Sequence, residues 1–324
     1  MMHKIEDHIG RRFEKLRISL LNTCNFSCVY CVSDNTEQVY QGVVPVSKEE
    51  QLDPDEFVSL IQSVHQLTGL KSIRLTGGEP LLYMNLIPLI EKIKTIGIED
   101  IRLTTNGYYL KQMARQLKKS GIQSINISID AIDLDLFRKI ARHNHPQRVF
   151  EGIQAAVDAG MQVKLNAVIM RGKNESQIVP LLDYASKMGV KIRYLELMKM
   201  GHLYQGENEL FYSEKEILDT ISQDYGISRL PRKKSETARY WTAGENRIFG
   251  IIANESTPFC HDCNRLRMDS RGYFYGCLSN ANGDKLAPYV HDQELLTQKL
   301  RQLLLMKQPA RFHGSQLSMR NIGG

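Results

Sequence analysis

The sequence has no apolar run that approaches the roughly 20 residues needed to cross a membrane. It has no low-complexity tract and no dense basic block, because its 42 Lys and Arg and 36 Asp and Glu are spread along the chain. Residues 1–17 are charged and lack the apolar centre of a secretory signal. These absences predict a cytoplasmic protein that binds neither membranes nor nucleic acids. The net charge of +6 fits a solvated surface or a small anionic substrate.

Cysteine is scarce, with six residues in a chain of 324, but all six fall into two triplets. The triplets are Cys24, Cys28 and Cys31, spaced C-x3-C-x2-C, and Cys260, Cys263 and Cys277, spaced C-x2-C-x13-C. In the cytosol such thiols serve metals or catalysis more often than disulfides. Three thiolates can hold three irons of a 4Fe–4S cluster and leave the fourth iron open to a ligand. Each triplet therefore predicts one cluster.

Zinc is the alternative metal, and structural zinc sites have four protein ligands. No histidine lies close to the first triplet in the sequence, which disfavours zinc there. His261 or His291 could complete a zinc site with the second triplet. The spacing alone therefore leaves both metals open at the second triplet.

Short β-branched runs alternate with longer amphipathic segments from residue 16 to residue 197. The predicted strands are Leu16–Leu21, Ser72–Thr76, Asp100–Thr104, Ser124–Ile129, Gln162–Val168 and Lys191–Leu195. The predicted helices are Pro54–Leu67, Leu86–Ile96, Leu110–Lys119, Phe150–Ala159 and Ser176–Met188. Alternating β and α units indicate an α/β fold with a parallel sheet. Six units predict an open, partial β/α barrel over residues 1–200, and a doubly wound sheet is the second interpretation.

The β/α alternation stops after residue 200. Residues 201–235 are interpreted as a connector, and residues 236–324 as a smaller α+β module that ends in Gly323 and Gly324. The elements predicted after residue 200 are a helix at Ser213–Gln223, a strand at Arg247–Ile252, a hairpin at Leu266–Cys277 and a helix at His291–Met306.

Polar residues follow three of the predicted strands, where the carboxyl ends of parallel strands carry the chemistry. The second strand ends in a Thr-Gly-Gly-Glu-Pro run over residues 76–80. The paired glycines there permit a close approach of the backbone to a ligand, and Glu79 can accept a hydrogen bond from an ammonium group. Thr104 and Ser128 end the next two strands, so we expect them at the same rim.

Basic residues at particular strand positions predict an anion site. Arg265 and Arg267 stand two apart, so both guanidinium groups leave one face of a strand and can bind phosphate oxygens in pairs. A solvated strand face is the alternative for this pair. Arg17 and Lys164 lie in the first and fifth strands, where a charge inside a barrel is costly unless a ligand neutralises it.

The first triplet also carries an aromatic residue, Tyr30, directly before its last cysteine, and the Gly-Gly-Glu-Pro run comes one β/α unit later. With these features the chain resembles the radical S-adenosylmethionine (SAM) superfamily. The resemblance narrows to the GTP 3′,8-cyclase family of molybdenum cofactor biosynthesis (the MoaA family) and runs essentially end to end. The segments that carry it are LRISLLNTCNFSCVYC, IRLTGGEP, LTTNGY, INISID, VKLNAV, LELM, FCHDCNRLR and the terminal NIGG.

The resemblance implies a lyase that uses SAM and two 4Fe–4S clusters to convert GTP into 3′,8-cyclo-7,8-dihydro-GTP, the first step towards molybdopterin. It assigns the first triplet to the cluster that binds SAM, and the second triplet to a cluster whose open iron binds guanine. It places SAM-binding roles on Tyr30, Gly78, Glu79, Ser128 and Met198. It places GTP-binding roles on Arg17, Arg74, Thr104, Lys164, Arg265, Leu266 and Arg267. It gives catalytic roles to Arg17, Arg265, Arg267, Gly323 and Gly324, with the two glycines inserted into the active site.

The same resemblance implies several partners. These are a low-potential electron donor of the flavodoxin or ferredoxin type, a second copy of the chain in a homodimer, and cyclic pyranopterin monophosphate synthase as the recipient of the product.

The chain departs from the family pattern at three places, namely Asn22-Thr23, Val32-Ser33 and Tyr83-Met84-Asn85. None of these departures removes a cysteine or one of the paired arginines. They leave open a diverged radical SAM enzyme that acts on another nucleotide or on a peptide. A non-enzymatic iron–sulfur redox sensor is the remaining alternative, although the sequence shows no helix-turn-helix pattern to serve it.

Overall fold

The helices and strands follow the predicted alternation. The computed structural model describes residues 4–33, 47, 50–206 and 209–322. Its strands are β1 (Lys15–Ser19), β2 (Ser72–Thr76), β3 (Asp100–Thr105), β4 (Ser124–Ser128), β5 (Gln162–Ile169), β6 (Lys191–Glu196), β7 (Ile227–Arg229), β8 (Arg239–Ala243), β9 (Arg247–Ile252), β10 (Arg265–Met268), β11 (Tyr273–Tyr275) and β12 (Asp284–Lys285). Its α-helices are α1 (Pro54–Thr68), α2 (Leu86–Thr95), α3 (Leu110–Ser120), α4 (Leu134–Ala141), α5 (Gln147–Asp158), α6 (Ile178–Lys187), α7 (Glu214–Ser222), α8 (Gln293–Leu305) and α9 (Met319–Ile322).

A single sheet joins these strands in the order β12-β11-β10-β1-β2-β3-β4-β5-β6-β9-β8-β7. The strands from β10 to β9 are parallel, and antiparallel strands extend the sheet at both edges. Strands β1 to β6 are neighbours in chain order, whereas a doubly wound sheet reverses its order at a switch point. The partial barrel predicted from the sequence is therefore confirmed. Among the described strands it stays open, because β12 and β7 form its two edges.

Local sequence explains why these segments form barrel units. Helix α1 begins at a capping box in which Asp53 and Glu56 each accept from the other's backbone N–H, and it ends at Gly69 in the left-handed conformation. In β5, apolar side chains alternate with Lys164 and Asn166, and the apolar set is buried. One face of the strand therefore packs under the helices while the other faces the barrel interior.

Sequence reasoning missed one helix of the barrel. Helix α4 is only eight residues long and lies in the connection between β4 and α5, where no helix was predicted. Asp133 caps it, since its Oδ1 accepts from the Leu136 N–H at 2.7 Å. Helix α5 begins at Gln147, three residues before the predicted start. No helix in the described ranges combines the length and apolarity needed to span a membrane.

Strands from the C-terminal part of the chain extend the barrel sheet on both sides. Strand β10 pairs in parallel with β1 and places Arg267 opposite Arg17, while β9 pairs in parallel with β6. The division into residues 1–200, 201–235 and 236–324 stays a prediction. The two outer divisions meet within one continuous sheet.

Candidate active site

Two adjoining cavities open into the barrel interior. The first, which we call the cysteine-loop cavity, has a volume of about 190 Å³ and is lined by the first cysteine triplet and the carboxyl ends of β2, β3, β4 and β6. The second, which we call the basic cavity, has a volume of about 230 Å³ and is lined by the second triplet and the middle of the barrel strands. The residues that line both cavities are Thr104, Asn166, Leu195, Met198 and Met319. A ligand in one cavity can therefore touch a ligand in the other.

The cysteine loop follows β1 and is fixed by backbone contacts on two sides. Ser27 and Val29 donate backbone hydrogen bonds to the last residues of α4, at 3.2 and 3.0 Å. On the other side the Gly78 N–H donates to the Leu21 carbonyl at 2.7 Å. A Cβ at Gly78 would lie 2.1 Å from the Thr23 carbonyl oxygen. The glycine thus lets two backbone segments meet, and it also lines the cavity.

The three thiols of this loop suit iron ligation. Burial raises the pKa of Cys24 to about 11 and that of Cys31 to about 12, and it raises the pKa of Cys28 well above its usual range. Such thiols ionise only when cations are bound to them, and the irons of a cluster supply that charge. The residues present therefore fit a 4Fe–4S cluster.

Most of the residues predicted to bind SAM surround the cysteine-loop cavity, namely Tyr30, Gly78, Ser128 and Met198. The Tyr30 hydroxyl donates to Asp130 Oδ2 at 2.9 Å, and the Val168 N–H donates to Asp130 Oδ1 at 2.8 Å. Burial raises the pKa of Asp130 to about 6. Asp130 therefore fixes the ring of Tyr30 at the edge of the cavity, a contact that sequence reasoning did not single out.

Glu79, predicted to bind SAM, follows Gly78 but does not itself line either cavity. Its carboxylate accepts from the Thr105 hydroxyl at 2.6 Å and from the Asn106 N–H at 2.7 Å. It is 1% exposed, and burial raises its pKa to about 7. In this structure Glu79 holds the ends of β2 and β3 together, and its role towards SAM stays a prediction.

Positive charge dominates the basic cavity. Within the described residues nine Lys and Arg side chains line it, against one carboxylate, that of Glu236. The nine are Lys15, Arg17, Arg74, Arg102, Lys164, Arg193, Arg265, Arg267 and Lys307. The sheet register explains why the cations are so close together. Facing positions on four neighbouring strands are occupied by Arg267, Arg17, Arg74 and Arg102. A cavity of this charge favours a polyanion.

Burial and mutual repulsion act on these cations. Burial and the charge of Arg267 lower the pKa of Arg17 well below its usual range. Burial and the charge of Arg193 lower the pKa of Arg74 to about 9 and that of Lys164 to about 8. No carboxylate pairs with Arg17 or Lys164 in the part of the chain that the structure describes. A bound anion would relieve the repulsion.

The second triplet shares this cavity with the paired arginines. Arg265 Nη2 donates to the Cys263 sulfur at 3.2 Å. Burial opposes ionisation of Cys263, but the charges of Arg265 and Lys307 outweigh it and lower its pKa to about 5. Burial raises the pKa of Cys260 to about 11. The environment of this triplet therefore differs from that of the first, and it already favours one thiolate.

The structure gives no support to zinc at the second triplet. His261 and His291 are exposed, and neither lines the cavity. Among the residues that the structure describes, no three His, Cys, Asp or Glu side chains converge on the position of a single ion. A 4Fe–4S cluster is larger than one ion, so its ligands stand further apart.

Several residues of the basic cavity were not predicted from the sequence. Arg102 and Arg193 lie on inward positions of β3 and β6, and the strand alternation that pointed to Lys164 could have found them. Strand alternation could not have identified Lys307, because this residue follows α8 and only the tertiary fold brings it to the cavity. Leu266, predicted to bind substrate, is instead fully buried in the hydrophobic core and lines neither cavity.

The last described residues lie between the two cavities. Met319 lines both cavities, and the carbonyl of Ile322 accepts from Arg267 Nη1 at 3.0 Å. Gly323 and Gly324, to which the sequence assigned a catalytic role, lie outside the described residues.

Comparison with known proteins agrees with this geometry. Residues 18–185 match the radical SAM superfamily, and residues 190–312 match the molybdenum cofactor synthesis C family. GTP 3′,8-cyclase of Staphylococcus saprophyticus is 38% identical over 307 residues, which cover 92% of this chain and 89% of that protein. The enzyme of the same name from Staphylococcus aureus has the same identity and coverage. The chain belongs to the GTP 3′,8-cyclase family.

Solved structures agree with this family's fold. SuiB of Streptococcus suis, determined with bound S-adenosylmethionine, superposes with a TM-score of 0.60 at 16% identity, over 90% of this chain and 68% of that one. SuiB bound to the precursor peptide SuiA gives a TM-score of 0.61 at 17% identity, over 90% and 67% of the two chains. At this identity the likeness concerns the radical SAM fold alone. Family membership and fold together establish a SAM-dependent enzyme with a 4Fe–4S cluster.

Proposed function

We propose that this chain is a GTP 3′,8-cyclase that forms 3′,8-cyclo-7,8-dihydro-GTP in the first step of molybdenum cofactor synthesis. The observation that carries the proposal is the shared wall between the cysteine-loop cavity and the basic cavity. A polyanionic nucleotide held by the cations of the basic cavity would have its sugar at the wall that SAM would also touch, and its base beside the second triplet. The curated relatives of the same name support this substrate.

Residues of the cysteine-loop cavity would hold and orient SAM. The thiolates of Cys24, Cys28 and Cys31 hold the cluster, and Tyr30, Gly78, Ser128 and Met198 surround the space beside it. When bound, SAM and the cluster supply the 5′-deoxyadenosyl radical that removes the hydrogen atom from ribose C3′. The buried walls exclude water, which would otherwise quench reactive species.

Residues of the basic cavity would hold the triphosphate of GTP. Arg17, Arg74, Lys164, Arg265 and Arg267 supply charged donors, and each charge-assisted hydrogen bond contributes roughly 1.5–3 kcal/mol. Thr104 lies on the shared wall, where Arg74 Nη1 donates to its hydroxyl at 3.3 Å. Fixing both ends of the substrate brings C3′ and C8 together for ring closure, so positioning accounts for most of the catalysis.

The second triplet would hold a second 4Fe–4S cluster with one open iron facing the guanine. Its three cysteines line the basic cavity together with the paired arginines, which supports this assignment. Atom balance requires one further electron and one proton after C8 accepts the C3′ carbon, and the product is then an isomer of GTP.

This chemistry would require partner proteins. A low-potential donor of the flavodoxin or ferredoxin type would deliver the electrons, and cyclic pyranopterin monophosphate synthase would receive the product. We also propose a cytoplasmic homodimer. We propose in addition that Gly323 and Gly324 contribute to catalysis.

Anaerobic turnover tests the proposed function. Protein loaded with both clusters is incubated with SAM, GTP and dithionite, and the products are identified by mass spectrometry. We expect 5′-deoxyadenosine together with an isomer of GTP. Deoxyadenosine without the isomer would point to the diverged radical SAM enzyme. Absence of both products from fully loaded protein would contradict the enzymatic function and favour the redox sensor.

A further inference from the structure

Arg320 connects the C-terminal segment to the cysteine loop, although the two are separated by most of the chain. Its Nη2 donates to the Phe26 carbonyl at 2.6 Å. Its side chain also lines the cysteine-loop cavity together with the three thiols of the first triplet. One guanidinium therefore contacts the backbone of the cysteine loop and lies at the cavity that would hold the first cluster.

The backbone around Arg320 is held by the barrel sheet. The Ser19 hydroxyl, at the end of β1, donates to the Arg320 carbonyl at 2.7 Å. Two residues later, Arg267 of β10 donates to the Ile322 carbonyl at 3.0 Å. Helix α9 is thus attached to two neighbouring strands, which fixes the point from which the Arg320 side chain extends.

The charges that act on the first triplet are of both signs. Two of the charges are acidic. The charge of Glu79 acts on Cys24, and the charge of Asp130 acts on Cys28 and Cys31. Arg320 acts on Cys24 and Cys31 with the opposite sign. Because Arg320 lines the same cavity as the three thiols, a change in its charge acts on a cluster bound there.

We infer that Arg320 is a positioning residue for the first cluster, which fixes the cysteine loop and raises the reduction potential of that cluster. Reduction adds negative charge to a group that already has three thiolate ligands, so a nearby cation stabilises the reduced form more than the oxidised form. The inference rests on membership of the radical SAM superfamily and is independent of GTP as the substrate.

A redox titration of three Arg320 variants tests this inference. The titration is followed by electron paramagnetic resonance without nucleotide, and the signal that changes on addition of SAM identifies the first cluster. In Arg320→Met we expect the ratio of reduced to oxidised cluster at a fixed potential to fall by about tenfold, which is 59 mV for a one-electron couple. Arg320→Lys keeps the charge, so the reduction potential of its first cluster should stay closer to that of the parent protein.

Arg311→Met is the matched control, because Arg311 lies exposed in the same segment and lines neither cavity. It should titrate like the parent protein. If Arg320→Met does not retain the first cluster, Arg320→Gln replaces it, since glutamine keeps a donor for the Phe26 carbonyl but has no charge. An uncharged variant that keeps its iron and titrates at the parent potential would overturn the inference.

Discussion

At the scale of single residues, the guanidinium of Arg17 is the group that most needs a ligand. It lies between Arg267 and Arg74 in the sheet register and has no carboxylate partner in the described part of the chain. A buried charge without a counter-ion lowers stability. In the ligand-free protein these three guanidinium groups therefore repel one another, and an anionic substrate would remove that repulsion.

The Arg17→Met variant should accordingly have two effects of opposite sign. The Kd for GTP should rise by about 10- to 150-fold, from the loss of roughly 1.5–3 kcal/mol of charge-assisted hydrogen bonding. The midpoint temperature of the ligand-free protein should stay equal or rise, because one buried cation has been removed. Equilibrium binding and thermal unfolding measure the two effects. Arg115→Met, at an exposed position of α3, should change neither, and a variant that loses stability while binding GTP normally would contradict this account of Arg17.

Lys164 should make GTP binding depend on pH. Burial and the charge of Arg193 lower its pKa from 10.5 to about 8. In the ligand-free protein the unfolded chain holds this proton up to a higher pH than the folded chain, so stability should rise between about pH 8 and pH 10.5. Triphosphate binding needs the charged form, so the Kd for GTP should increase above about pH 8.

The matched variant is Lys164→Arg, because the guanidinium loses its proton at a higher pH than the lysine ammonium group in the same surroundings. Its Kd for GTP should increase less over the same pH interval, as measured by titration calorimetry. Identical pH profiles for the two proteins would exclude Lys164 as the titrating group.

At the scale of elements, the contact between the cysteine loop and the end of β2 fixes the first triplet. In Gly78→Ala the new Cβ would meet the Thr23 carbonyl at 2.1 Å, and backbone cannot move aside as a flexible side chain can. We expect the loop to shift, with a cost of about 1–3 kcal/mol in stability and loss of iron from the first cluster. Iron and sulfide analysis checks the result. Gly226→Ala, where a Cβ meets nothing within 4 Å, should keep its full iron content.

Element periodicity explains how much of the fold could be predicted. The six barrel strands were found from the sequence because short β-branched runs alternate there with longer amphipathic segments. Helix α4 was missed because eight residues give too short an amphipathic pattern. Arg102 and Arg193 share the alternation that revealed Lys164, so they could have been found. Lys307 and Arg320 reach their sites from outside the barrel units, and no local pattern reports such a contact.

At the scale of the whole molecule, the two cavities that the cysteine triplets line belong to one sheet because β10 pairs with β1. This pairing joins residues that are some 250 positions apart in the sequence, and periodicity carries no information on such long-range partners. The resemblance to a known family indicated that the triplets serve one site. The structure adds the shared wall, and we propose that a nucleotide in the basic cavity meets SAM there.

Because the two triplets line separate cavities, we predict that one cluster can be removed without loss of the other. Changing Cys260, Cys263 and Cys277 together to Ser should remove one cluster, about half of the iron, and abolish formation of the GTP isomer. Reductive cleavage of SAM should persist, because the cysteine-loop cavity keeps its own triplet. Iron analysis and chromatography of 5′-deoxyadenosine measure the two outcomes. A variant that loses all of its iron would show that the second triplet is needed for assembly of the first cluster, against this prediction.

The central claim is that GTP occupies the basic cavity with its ribose C3′ at the shared wall. The most direct test is turnover of GTP deuterated at C3′, with mass spectrometry of the 5′-deoxyadenosine formed. We predict that one deuterium is transferred to 5′-deoxyadenosine, and that GTP deuterated at C8 transfers none. Unlabelled 5′-deoxyadenosine from the C3′-labelled substrate would contradict the account, because the hydrogen atom would then come from another position or another molecule.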